Sequence, residues 1–93
     1  MALELDLNLT ANEALDRCAE RGLFVRSEGT LGGKPSGRHW HLGLAGRPGT
    51  LELSERQNRV WLKVHARRDG GWASALAHEL ASSQAADASS NRV

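Results

Sequence analysis

The chain has a single cysteine, Cys18, among its 93 residues. That excludes an intramolecular disulfide and any zinc site built from several cysteines, and it suits a reducing compartment. No run approaches the roughly 18 apolar residues of a membrane-spanning helix, and the first residues lack the charged segment and apolar stretch of a secretory signal. A dominant charge is also missing: 12 Lys and Arg against 11 Asp and Glu leave a formal net charge of +1. No overall field draws in nucleic acid, so any such attraction must come from a local patch. There is no internal repeat. These absences predict one small cytoplasmic domain with no membrane association and no cofactor. A chain of this length buries only about 60–65% of its unfolded surface, so its core must be thin.

What is present reads as a short series of elements. In residues 3–9, LELDLNL, the leucines Leu3, Leu5, Leu7 and Leu9 alternate with polar residues. That is the period of a half-buried strand. Asp and Asn are poor strand formers, so the alternative is a leader whose leucines cover the core. Thr10 followed three residues on by Glu13 predicts a capping box. Ala11, Ala14, Leu15, Cys18 and Ala19 then form one stripe of a helix, and Gly22 suits the position past its end. In that stripe Cys18 reads as a small core residue rather than a reactive thiol.

Residues 23–28 read as a strand, 29–37 (GTLGGKPSG) as a flexible loop, 38–44 as a strand, 45–49 as a turn and 50–54 as a strand. Residues 59–66 form the clearest strand, and 72–81 a second helix with Trp72, Ala73, Leu76, Ala77 and Leu80 on one stripe, which Asp69 could cap. Residues 82–93 lack an apolar period and are expected to be a disordered tail. The short connectors between the later strands force a meander. The expected architecture is a two-layer α+β domain over residues 1–81: an antiparallel sheet of three to four strands between two helices in sequence, both helices on one face, with room for an extra N-terminal strand.

Strand alternation predicts which side chains face away from the helices. Val60, Leu62, Val64 and Ala66 point inward, leaving Arg59, Trp61, Lys63 and His65 outward. Leu51 and Leu53 go in, and Thr50, Glu52 and Ser54 go out. Trp40, Leu42 and Leu44 go in, and His39, His41 and Gly43 go out. A tight turn at Gln57–Asn58 would set Glu52 opposite Lys63, so charge pairing and burial agree on one register. The open face gathers three histidines, a tryptophan and two cations, and nearby loops add Lys34, Arg38, Arg47, Arg67 and Arg68.

Three readings fit that face. In the first it binds single-stranded RNA, in preference to DNA. Arg38, Arg59, Lys63, Arg67 and Arg68 would hold phosphates, and a base would stack on Trp61. Histidine moves protons near neutral pH without a metal, so His39, with His41 or His65 as its complement, could supply the base and acid of RNA cleavage. In the second, His39, His41 and His65 bind zinc. The strand 50–54 would hold His65 about 10 Å from the other two, too far for one ion, so no metal site is expected. In the third these are solvated side chains, and Trp61 is covered by a protein partner or a second copy of the chain, giving a non-catalytic interaction module. No P-loop spacing or Ser–His–acid pattern stands out.

The order of helix, three strands and helix resembles the double-stranded-RNA-binding fold, without that family's basic signature at the second helix. SGRHWHLGL, GTLELS and WASALAHELA, following a helix and a first strand, resemble the layout of HicA toxins of bacterial toxin–antitoxin pairs. The resemblance implies mRNA cleavage, places the family's catalytic histidine at His39, and implies a small antitoxin partner over the basic face. Arg38 stands where the family has a serine, His41 has no counterpart, and the strand RVWLKVHA is longer than the family's pattern.

Overall fold

The computed structural model describes residues 2–90, with side chains described as far as Ser82. Its elements are β1 (Ala2–Leu7), α1 (Ala11–Glu20), β2 (Leu23–Leu31), β3 (Gly37–Leu44), β4 (Leu51–Arg56), β5 (Arg59–His65), a 3-10 turn (Ala66–Arg68) and α2 (Ala73–Ser90). The strands form one antiparallel sheet in the order β1-β5-β4-β3-β2. The α+β class and the meander are as expected. The sheet has five strands rather than three or four, because the N-terminal leucine alternation pairs as a strand along β5, Ala2 opposite His65 and Leu7 opposite Val60.

Local chemistry accounts for the boundaries. Thr10 Oγ1 accepts from the Glu13 amide, and Glu13 Oε1 accepts from the Thr10 amide, closing the capping box that starts α1. Asp69 starts α2 by accepting from the Ser74 amide (3.0 Å) and hydroxyl (2.6 Å). These bonds to Ser74 hold the Asp69 carboxyl below its ordinary range. Gln57, at φ +53°, turns β4 into β5, and Glu52 lies opposite Lys63 and Leu53 opposite Leu62, the register read from the sequence. The backbone of α2 continues to Ser90, through most of the stretch expected as a disordered tail; residues 91–93 lie outside the described ones.

Both helices cover one face. Ala11, Ala14 and Cys18 of α1 and Ala73, Ala77 and Leu80 of α2 close over Trp40, Leu42, Leu51, Leu53, Leu62 and Val64. Small residues on the helices let them lie close to a sheet that supplies the bulk. Each fully buried leucine contributes roughly 1.5–3 kcal/mol. Among the described residues no helix is long and apolar enough to cross a membrane.

Cys18 is 1% exposed, and burial pushes its thiol up to about 11 against a smaller opposing pull from Arg21. Native protein at neutral pH is therefore expected to resist iodoacetamide, and protein in urea to be alkylated readily. Rapid labelling of the native state by mass spectrometry would place Cys18 outside the core.

Candidate nucleic-acid interface

The face away from the helices is built from two cross-strand rows. Strand pairing aligns Ser27, His41, Glu52, Lys63 and Glu4 in one row and Gly29, His39, Ser54, Trp61 and Asp6 in the next. Each row spans the whole sheet, so residues far apart in sequence become neighbours every 4.7–4.9 Å or so. The outward set read from alternation is the one observed for His39, His41, Trp61, Lys63 and His65.

Glu52 sits between two of the histidines. Its Oε1 is 2.8 Å from His41 Nε2, and its Oε2 is 2.7 Å from His65 Nε2, the latter contact too oblique for a hydrogen bond. His41 Nδ1 lies 3.0 Å from Ser27 Oγ. With Nε2 carrying the proton, His41 donates to Glu52 and accepts from Ser27, so both ring nitrogens are occupied. His65 is held through Nε2 only and its side chain is 44% exposed. His39 lies beside His41, ring centroids 5.1 Å apart, and leans over Gly29, where a Cβ would come within 3.0 Å of its Nε2. The three histidines therefore do not converge: β4 separates His65 from the other two, and Glu52 occupies the gap. Among the described residues no group of three or more His, Cys, Asp and Glu side chains is placed to hold a metal ion.

Burial pushes the Glu52 carboxyl up, but the hydrogen bond and charge from His41, with the charge of His65, outweigh it and hold the group below its ordinary value. A depressed carboxyl contributes stability that is present above the unfolded value and lost as pH falls through the folded one. Glu52→Gln should therefore flatten the fall in thermal midpoint below about pH 4.5. An acid limb as steep as that of the parent protein would show that other carboxylates set it.

The cations divide into three groups. Arg59 is committed to β1: its Nε is 2.8 Å from Asp6 Oδ1 and its Nη2 is 3.4 Å from Glu4 Oε1. Its guanidinium also lies 4.2 Å from the centroid of the Trp61 ring, which leaves Trp61 half-buried rather than a bare stacking platform. Lys63 Nζ is 4.0 Å from Glu4 Oε2. Arg38 is on the wrong side for the expected role. Two residues before Trp40 on the same strand, Arg38 shares its alternation, lying 4.7 Å over its ring and 3.4 Å from Glu28 Oε2. It points away from the histidines. Arg67 and Arg68 differ from both. They are exposed on the 3-10 turn, and among the described residues no ion pair is recorded for either guanidinium. With Ala2, His65 and Ala66 they line a cleft of about 490 Å³.

That turn is fixed in place. The Thr50 amide donates to the Arg68 carbonyl (2.7 Å), and Trp72 Nε1 donates to the Pro48 carbonyl (2.6 Å). Sequence reading missed the roles of Glu52, Glu4 and Asp6. The alternation of β4 put Glu52 on the open face, but only the strand order shows that it stands between His41 and His65. No protein-family model, curated protein or solved structure matches the chain.

Proposed function

We propose that the protein binds single-stranded RNA at the end of the open face formed by His65, Arg67 and Arg68. One observation carries this reading: two arginines with no acidic partner among the described residues share a cleft with a histidine whose Nε2 lies against a carboxylate. Guanidinium groups suit phosphate oxygens, and His65, backed by Glu52, is the histidine best set for proton transfer to a bound phosphodiester. His41 is occupied at both ring nitrogens and acts as a brace. His39, the position implied by the resemblance to HicA toxins, sits across β4 and leans toward β2, so the geometry favours binding over two-histidine cleavage.

The test is a gel with end-labelled single-stranded RNA in EDTA at low and moderate salt. A shift that weakens with salt, and that is lost in the Arg67→Gln, Arg68→Gln double variant, is expected. Cleavage abolished by His65→Ala would add a metal-independent ribonuclease activity. A face that gives neither shift nor cleavage does not bind RNA.

A second reading has its own support. Phe24 and Val25, on the outer strand β2, are 45% and 50% exposed, and such side chains suit a protein contact. Association with a protein partner or a second copy through them would hardly change with salt, which separates it from RNA binding.

A further inference from the structure

We infer that Glu4 and Asp6 are specificity determinants that exclude phosphate from Arg59 and Lys63 and so confine bound RNA to the His65–Arg67–Arg68 end. The inference rests on the RNA-binding reading above. A sheet face with Arg59, Trp61 and Lys63 in a line along β5 has the composition of a nucleic-acid track, cations to hold phosphates and a ring to stack a base. β1 removes that track from use. It pairs along β5 in a register that brings Asp6 opposite Trp61 and Glu4 opposite Lys63, so its acidic side chains stand on the open face beside the cations.

The engagement is specific in geometry. Asp6 takes the Nε of Arg59 at 2.8 Å, Glu4 takes its Nη2 at 3.4 Å, and the other oxygen of Glu4 faces Lys63 at 4.0 Å. Two carboxylates thus neutralise two cations, and the guanidinium is folded onto the Trp61 ring. A phosphate approaching this part of the face meets carboxylates at the sheet edge and must displace them. Among the described residues nothing comparable guards Arg67 and Arg68, which follow β5 past the end of the β1 ladder at Ala2 and His65. The face is therefore divided into a neutralised stretch and an open cationic end, and the bound segment should be short.

The experiment measures affinity for single-stranded RNA oligomers of increasing length, each over a range of salt, for the full chain and three variants. The parent protein should gain nothing from lengthening the RNA beyond a few nucleotides. The Glu4→Gln, Asp6→Asn variant should bind longer oligomers roughly tenfold more tightly near 0.1 M salt, with a salt slope steeper by about 1.4, the value for two further phosphates on a single strand. Arg59→Gln should leave the parent affinity unchanged, whereas the Arg67→Gln, Arg68→Gln pair should abolish binding. The Arg59 variant keeps the test decisive if loss of the acidic pair destabilises β1. Parent protein that binds RNA, with an unchanged slope in the Glu4 and Asp6 variant or weakened binding in Arg59→Gln, overturns this inference and leaves the RNA reading standing. Parent protein that binds no RNA at any length overturns both.

Discussion

Replacing Gly70 with alanine is expected to destabilise the domain by about 3 kcal/mol and to weaken the proposed RNA binding in parallel. Gly70 has φ +64°, a conformation that costs a residue with a Cβ of order 1–3 kcal/mol. Space is the second problem. A Cβ at Gly70 would overlap the Pro48 carbonyl and sit 2.9 Å from Gly49 Cα, so the 45–49 turn could no longer rest on the segment before α2. That contact seats the 3-10 turn, through Thr50 on the Arg68 carbonyl and Trp72 on Pro48. Losing it should release Arg67 and Arg68 from the position that makes them a pair. Gly46→Ala is the control, because Gly46 has a similar φ of +74° and no atom within 4 Å of a new Cβ. Urea melts of the two variants separate strain from overlap. Equal losses would show that the turn yields to the extra methyl group.

Leu53→Ala is expected to cost about 2–5 kcal/mol through the cavity it leaves. Leu53 is fully buried (0% exposed) on the middle strand of the sheet, opposite Trp40 on β3 and Leu62 on β5. A domain of this size has only about 5–15 kcal/mol of stability in all, so the change removes a large share of it. At a urea dependence of roughly 1–3 kcal/mol per molar, the midpoint should fall by about 1–5 M. Unlike Gly70→Ala, the variant should leave the proposed RNA binding intact under conditions where it is still folded, because the side chain faces away from the candidate site. A loss below about 1 kcal/mol would mean that the helices close over the gap.

The fold was more legible than the electrostatics. Alternation in β5 and β4 assigned inward and outward side chains from residue types alone, since a strand has one period and a thin core must take the apolar set. The capping box at Thr10 and Glu13 is a local device and could be read locally. The partners of charged groups could not, because they depend on strand order. Glu52 does lie opposite Lys63, but Lys63 leans to Glu4, and Glu52 turns to His41 and His65, which the pairing of β3 and β5 with β4 brings within reach. Arg59 and Lys63 looked available only while the neighbour of β5 was unknown. Arg38 is misplaced by counting it with the loops, because the expected strand 38–44 already sets it on the same side as Trp40, two residues on. Strand β2 runs on to Leu31, past the expected end at 28, because Gly29 makes room for the His39 ring and Thr30 pairs with Arg38.

The pairing of β1 with β5 also sets an order of events in folding. The hairpins from β2 to β5 close between neighbours in sequence, whereas joining Ala2 to His65 closes a loop that spans most of the domain. Contacts of such long range impose their loop entropy before they return any stability. β1, made before the other strands of this sheet, is therefore expected to be among the last to dock. During synthesis β1 leaves the ribosome well before its partner exists, and until β1 docks on β5, Arg59 and Lys63 have no carboxylates beside them. The nascent domain passes through a state more cationic on its open face than the finished one.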